Sequence, residues 1–218
     1  PDGGGELDTT DLKSAGEGYS FAEAIRTTQF RMVAIAYVST GFAISAAMVH
    51  VVPHAIELGI SAASAASVMA VIGGTSAASR LTIGGIGDRI GSRRALVISI
   101  ALSTSGIIIL LFARELWMLY VFATLFGFGQ GGMSVTMAPI VAELFGLKQH
   151  GAIQGFVVFI MTFATAVSPV LAGRLFDVSG SYHLAWLVFG CISIVGLGLT
   201  FMLRNTGQVV KDSETIRA

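Results

Sequence analysis

Six apolar stretches, each long enough to cross a bilayer, fill almost all of the chain from Arg31 onward, and one of them carries an arginine, Arg80, inside its span. A spanning helix takes about 20 predominantly apolar residues, because a hydrocarbon core about 30 Å thick is crossed at about 1.5 Å per residue. The stretches that qualify run Met32 to Val52, Ala62 to Ile86, Ala95 to Ala113, Trp117 to Leu144, Ala152 to Leu175 and His183 to Leu203. Short breaks separate them, which forces neighbouring helices antiparallel. Lipid offers backbone groups no partners, so each segment must satisfy its own hydrogen bonds as a helix. The fold class expected is therefore an all-α integral membrane protein, a six-transmembrane-helix bundle.

Composition narrows the function classes. The chain is 54% hydrophobic and 12% charged, against about 25% charge in soluble domains. Its formal net charge is zero, so no basic field points to nucleic acid, and the lipid bilayer is the first partner expected. The single Cys191 lies in an apolar run and reads as a small buried hydrophobe. There is no H-E-x-x-H, no G-x-S-x-G and no intramembrane carboxylate pair. The chain is not expected to be an enzyme, and neither cofactor nor metal is expected.

Residues 1–19 are polar and glycine-rich and read as a flexible cytoplasmic linker. Residues 20–30 read as an interfacial helix, opened by a capping box in which Ser20 and Glu23 satisfy each other's backbone. Residues 31–205 hold the six-helix bundle and residues 206–218 a cytoplasmic tail. The sequence starts without Met and shows no signal-peptide pattern, so it is expected to be the back portion of a larger protein. With both termini cytoplasmic, that side holds Lys13, Arg26, Arg31, Arg89, Arg93, Arg94, Lys148, Arg204, Lys211 and Arg217, and the outer side only Arg114 and Arg174. This excess fixes the expected orientation, in an inner or plasma membrane.

A charge within a spanning helix is costly, by about 2.5 to 3.5 kcal/mol on insertion scales, and usually faces a bundle interior or a wet cavity. On its helix Arg80 shares a stripe with Gly73, Ser76, Ala77, Gly84 and Gly87, expected to pack against protein, while Val68, Val71, Ile72, Leu81 and Ile83 lie mostly elsewhere. Snorkelling toward the nearer membrane face is the alternative. A guanidinium offers a fork of donors matched to a carboxylate, so the chemistry expected is binding of a small organic anion. Candidate polar groups to complete a pocket are Ser45, His50, Ser76, Gln130, Ser134 and Thr162. The glycine run from Gly127 to Gly132 superficially matches a nucleotide loop but lacks its strand, and reads as helix packing.

The segment Gly84-Gly-Ile-Gly-Asp88-Arg89-Ile-Gly91-Ser-Arg93-Arg94 is expected to form a tight cationic turn. It resembles the signature loop of the major facilitator superfamily. Together with the runs His50 to Ser61, Ser79-Arg80 and Ala172 to Tyr182, it is similar to the monocarboxylate transporter and oxalate/formate antiporter branch. The resemblance implies one half, the C-terminal one, of a twelve-helix fold that works by alternating access beside an N-terminal six-helix half. It implies that Arg80 binds the substrate carboxylate. It also implies a cytoplasmic gate built by Gly84, Asp88, Arg89, Gly91, Arg93 and Arg94, with Glu143 as a further partner. The sequence departs from the branch in two places: no acid precedes Arg80 in its span, and no lysine lies within Ala152 to Leu175. Symport with a proton, exchange for a counter-anion and uniport all stay open. A carrier of a neutral or cationic solute such as a sugar or drug, and a non-transporting sensor of the same fold, are the other readings.

Overall fold

The computed structural model describes residues 18–203, which form seven helices: α1 Phe21–Ala24, α2 Thr28–Glu57, α3 Ala62–Ile90, α4 Ser92–Phe112, α5 Leu116–Phe145, α6 His150–Ser179 and α7 His183–Phe201. The last six are each long and apolar enough to cross a membrane. The expected linker residues 1–17 and the tail from residue 204 onward lie outside the described residues.

Local chemistry sets the ends of these helices. Thr27 accepts from Phe30 N at 3.0 Å to start α2, and Ser61 accepts from Ser64 N at 3.2 Å to start α3. Glycines with positive φ make four of the five breaks between the long helices: Gly59 at 81°, Gly91 at 86°, Gly146 at 78° and Gly180 at 72°.

Three expectations need correction. Pro53 does not end the first span, since α2 runs through it to Glu57. A proline removes only its own N–H, and the backbone recovers at once, with Leu58 N donating to His54 O at 3.1 Å. The glycine-rich motif is not an extended turn either. Gly84, Gly85 and Gly87 are helical, and the whole reversal between α3 and α4 falls on Gly91. The expected helix over 20–30 is one turn: the Ser20–Glu23 capping box forms, but Thr27 then caps a new helix, so Thr28 to Phe30 already belong to α2.

Packing runs through α5, which lies against both α3 and α4, while α2 lies against α6 and α7, and α4 against α7. The glycine run of α5 is the reason. A Cβ on Gly127 or Gly131 would collide with the α3 backbone at Ile72 or Ser76, and one on Gly129 with α4 at Ser99 and Ser103. Close backbone approach of this kind holds helices together where water supplies no driving force. Trp186, Phe122, Phe126 and Phe189 fill one core cluster, and Tyr37, Leu96, Ile100 and Phe145 a second. Cys191, expected to be buried, is exposed on α7. The least covered helices are α3 and α6, where Leu81 is 82% and Val170 72% exposed.

The lead-in to the bundle is anchored. Tyr19 N donates to Phe145 O at 2.8 Å, Phe21 N donates to the Gln149 side chain, and Phe30 stacks on Phe156 at 6.1 Å. Residues 18–30 thereby sit on the α5–α6 junction.

Candidate functional site

Arg80 lies ten residues before the end of α3 and is exposed. It makes no hydrogen bond or ion pair among the described residues. The stripe beside it is not packed, contrary to expectation: Gly73 and Ala77 are exposed, Gly84 and Gly87 half-buried, and only Ser76, 7% exposed, turns into α5. The packed face of α3, Ala65, Val68, Ile72, Ser76, Ser79 and Ile83, adjoins the stripe on one side and meets it at Ser76. Because α5 brings its glycines to Ile72 and Ser76, the bulkier side chains flank that contact and the small-residue stripe is left open with its arginine.

Helical rise gives the level of each candidate. Counting from the end of the bundle that holds Gly59 and Gly180, Arg80 stands about 27 Å along α3, Ser134 about 27 Å along α5 and Thr162 about 26 Å along α6. Ser76 and Gln130 stand one turn nearer that end, at about 21 Å. Arg80, Ser134 and Thr162 are all exposed at this shared level, and Gln130 is half-buried. Ser134 Oγ donates to Gly131 O at 2.7 Å and Thr162 Oγ1 to Val158 O at 2.8 Å, so both hydroxyls spend their proton on their own helices. Of these candidates, Arg80, the Gln130 amide and the Ser76 hydroxyl make no hydrogen bond among the described residues.

His50 does not join this group. It stands about 10 Å from the same end of the bundle, some 17 Å away along the axis, too far for one small acid to touch both. Its two nitrogens are engaged instead: Nε2 donates to Pro169 O at 2.9 Å and Nδ1 accepts from Tyr182 OH at 3.1 Å. Burial, with the Glu57 and Asp177 carboxylates, pushes the Tyr182 phenol above its usual range, which keeps it a donor. His54 is buried beside it, with Nδ1 3.4 Å from Glu57 and its ring edge-on to Tyr182 and Trp186. This end of α2 is thus tied to α6 and α7 by rings and hydrogen bonds.

Ser45 has a structural assignment that a proline explains. Pro169 has no N–H to give to the carbonyl four residues before it, Thr165, and Ser45 Oγ supplies that donor across the α2–α6 contact at 2.8 Å. The signal was present in the sequence as Pro169 inside a span, but its partner on α2 was not readable without the helix register.

At the opposite end, the motif residues divide by role. Glu143, near the end of α5, accepts from Ser92 N at 3.3 Å and Ser92 Oγ at 2.6 Å, serving as the cap that Gly91 cannot provide. Arg93 Nη2 donates to Phe201 O at 2.7 Å, placing a cation on the last carbonyls of α7. Asp88, Arg89 and Arg94 are exposed. The motif therefore ties the starts and ends of α4, α5 and α7 at one point and presents one acid and two arginines outward.

Comparison with known proteins bears on this geometry. A family model described as Major Facilitator Superfamily matches residues 33–217. Monocarboxylate transporter 12 of Rattus norvegicus is 29% identical over 211 residues, covering 91% of this chain and 43% of that protein. Monocarboxylate transporter 2 of Homo sapiens is 27% identical over 164 residues, covering 73% and 34%. The chain thus spans less than half the length of the curated relatives it matches. Among solved structures, the peptide transporter POT in complex with sulfate superposes with a TM-score of 0.75 at 17% identity, covering 92% of this chain and 42% of that one. The transporter FucP in its outward conformation gives 0.68 at 15% identity, covering 85% and 46%.

Proposed function

The chain belongs to the major facilitator superfamily, and from that premise we propose that it is the C-terminal six-helix half of a secondary transporter moving a small, monocarboxylate-like anion by alternating access. The observation that carries the reading is Arg80: a permanent charge within a span, exposed, without a carboxylate partner among the described residues, and level with polar groups on α5 and α6. Its guanidinium holds the carboxylate, Gln130 donates to it, and Ser134 and Thr162 line the same level with Ser76 one turn away. His50 stands outside this pocket. The similarity to monocarboxylate transporters supports the substrate class.

Both termini face the cytosol in this proposal, by the excess of Lys and Arg on that side, and the membrane is an inner or plasma membrane. Asp88, Arg89, Arg93 and Arg94 then form the cytoplasmic gate, hinged on Gly91, with Glu143 holding the start of α4. An N-terminal half supplies the facing wall of the cavity. No acid precedes Arg80 in α3, so coupling to a proton falls to groups elsewhere in the transporter.

Counterflow of labelled lactate, pyruvate, formate and oxalate into proteoliposomes holding the complete polypeptide tests the class. Exchange of a monocarboxylate is expected. Exchange of a sugar or an organic cation with no acid carried would overturn the reading.

A further inference from the structure

Between α6 and α7, which touch only lightly, α2 forms the floor of a groove of about 640 Å³. Its walls are Ile35, Val38, Phe42, Phe156, Ile160 and Ile192. The one hydroxyl on its floor, Ser39 Oγ, already donates to Ile35 O at 2.6 Å, so the interior offers no free donor. At one end the lining includes Arg31, beside Phe30 and Ile25. The Arg31 side chain is exposed, donates to Thr28 Oγ1 at 3.1 Å and has no carboxylate partner among the described residues. The first turn of α2 contains no acid, and Arg26 is exposed nearby in the sequence.

The dimensions select the occupant. From Arg31 to Phe42 the floor extends about 16 Å, close to half of a hydrocarbon core about 30 Å thick. An apolar trough one leaflet long with a cation at its interfacial end matches one acyl chain below one anionic headgroup. We propose that this groove is a binding site for an anionic phospholipid of the cytoplasmic leaflet, its chain between α6 and α7 and its phosphate on Arg31. The lipid fills the seam that α6 and α7 leave open and steadies α6, the least covered helix, against α2. The choice of leaflet rests on the orientation proposed above; the groove and its charge preference do not.

Native mass spectrometry of the complete detergent-purified protein, titrated with phosphatidylglycerol or phosphatidylcholine of equal chain length, tests the site. Detergent contains no leaflets, so failure would count against the groove and not the orientation. Phosphatidylglycerol is expected to be retained about fivefold better, the factor one cation contributes beside an anionic headgroup. Arg31→Gln removes that preference, Lys148→Gln at another exposed cation keeps it, and Val38→Trp lowers retention of both lipids. Equal retention of the two lipids by the unaltered protein, or a preference that survives Arg31→Gln, would overturn the proposal. A photoreactive residue at Ile35 in membranes is expected to capture phospholipid; capture of a polypeptide instead would make the groove a protein interface and overturn it as well.

Discussion

Two glycines two residues apart on α7, on different faces, separate structural need from mere tolerance. A Cβ on Gly196 would run into Ser39 Oγ and lie 3.2 Å from Thr40 Oγ1, whereas one on Gly198 has nothing within 4 Å. Gly196→Ala is expected to cost about 1 to 3 kcal/mol by overpacking the α2–α7 contact, while Gly198→Ala is neutral or slightly stabilising; thermal unfolding in detergent reads both. Tyr182 makes a second prediction through its raised pKa. The unfolded phenol ionises near pH 10, and the folded one, held up by burial and by Glu57 and Asp177, ionises above that. Its contribution is therefore complete below about pH 10 and is lost as pH rises through the folded value. Tyr182→Phe is expected to lower stability at neutral pH by about 1 kcal/mol, through the lost bond to His50, and to flatten the alkaline limb of the stability profile. An unchanged alkaline limb would contradict the assignment.

At the scale of elements, much was legible and the errors share a cause. Length and hydropathy located six helices, because a span must be apolar throughout and satisfy its own backbone. Which face of α3 is packed was not legible, since small residues serve equally well for helix contact and for lining an open surface. The stripe with Arg80 stays open because the glycines of α5 meet the adjoining face, at Ile72 and Ser76. Pro53 and Gly87 fall in expected breaks between spans, yet the surrounding helix carries through both. The pairing of Ser45 with the carbonyl freed by Pro169, and of Arg93 with the end of α7, depends on register between helices distant in sequence. Glu143 enters as a gate partner that the family resemblance implies, and its contact with the head of α4 gives a direct test. Glu143→Ala is expected to cost about 1 to 2 kcal/mol, as loss of a helix cap does, and Glu143→Gln less, since the amide oxygen still accepts from Ser92. Equal stability of Glu143→Ala and the unaltered protein would remove the capping role.

For the whole molecule, the uneven covering of the bundle matters most. Exposed Leu81 and Val170 lie on α3 and α6, the two least buried helices, and the proposed N-terminal half would close over that side. Single cysteines placed at both positions of the complete polypeptide are expected to react slowly with a water-soluble maleimide and to cross-link to the other half, while one at Leu147, in the α5–α6 break, reacts fast. Arg80, on the same helix as Leu81, is the proposed partner of the anion and not a snorkelling charge. The direct measurement is counterflow of the best carried acid in proteoliposomes with Arg80→Gln and Arg80→Lys, each confirmed folded by its unfolding temperature. Loss of exchange is expected in the first and a large residual deficit in the second, because a lysine keeps the charge but not the planar fork. Exchange of the acid undiminished in Arg80→Gln would contradict that role.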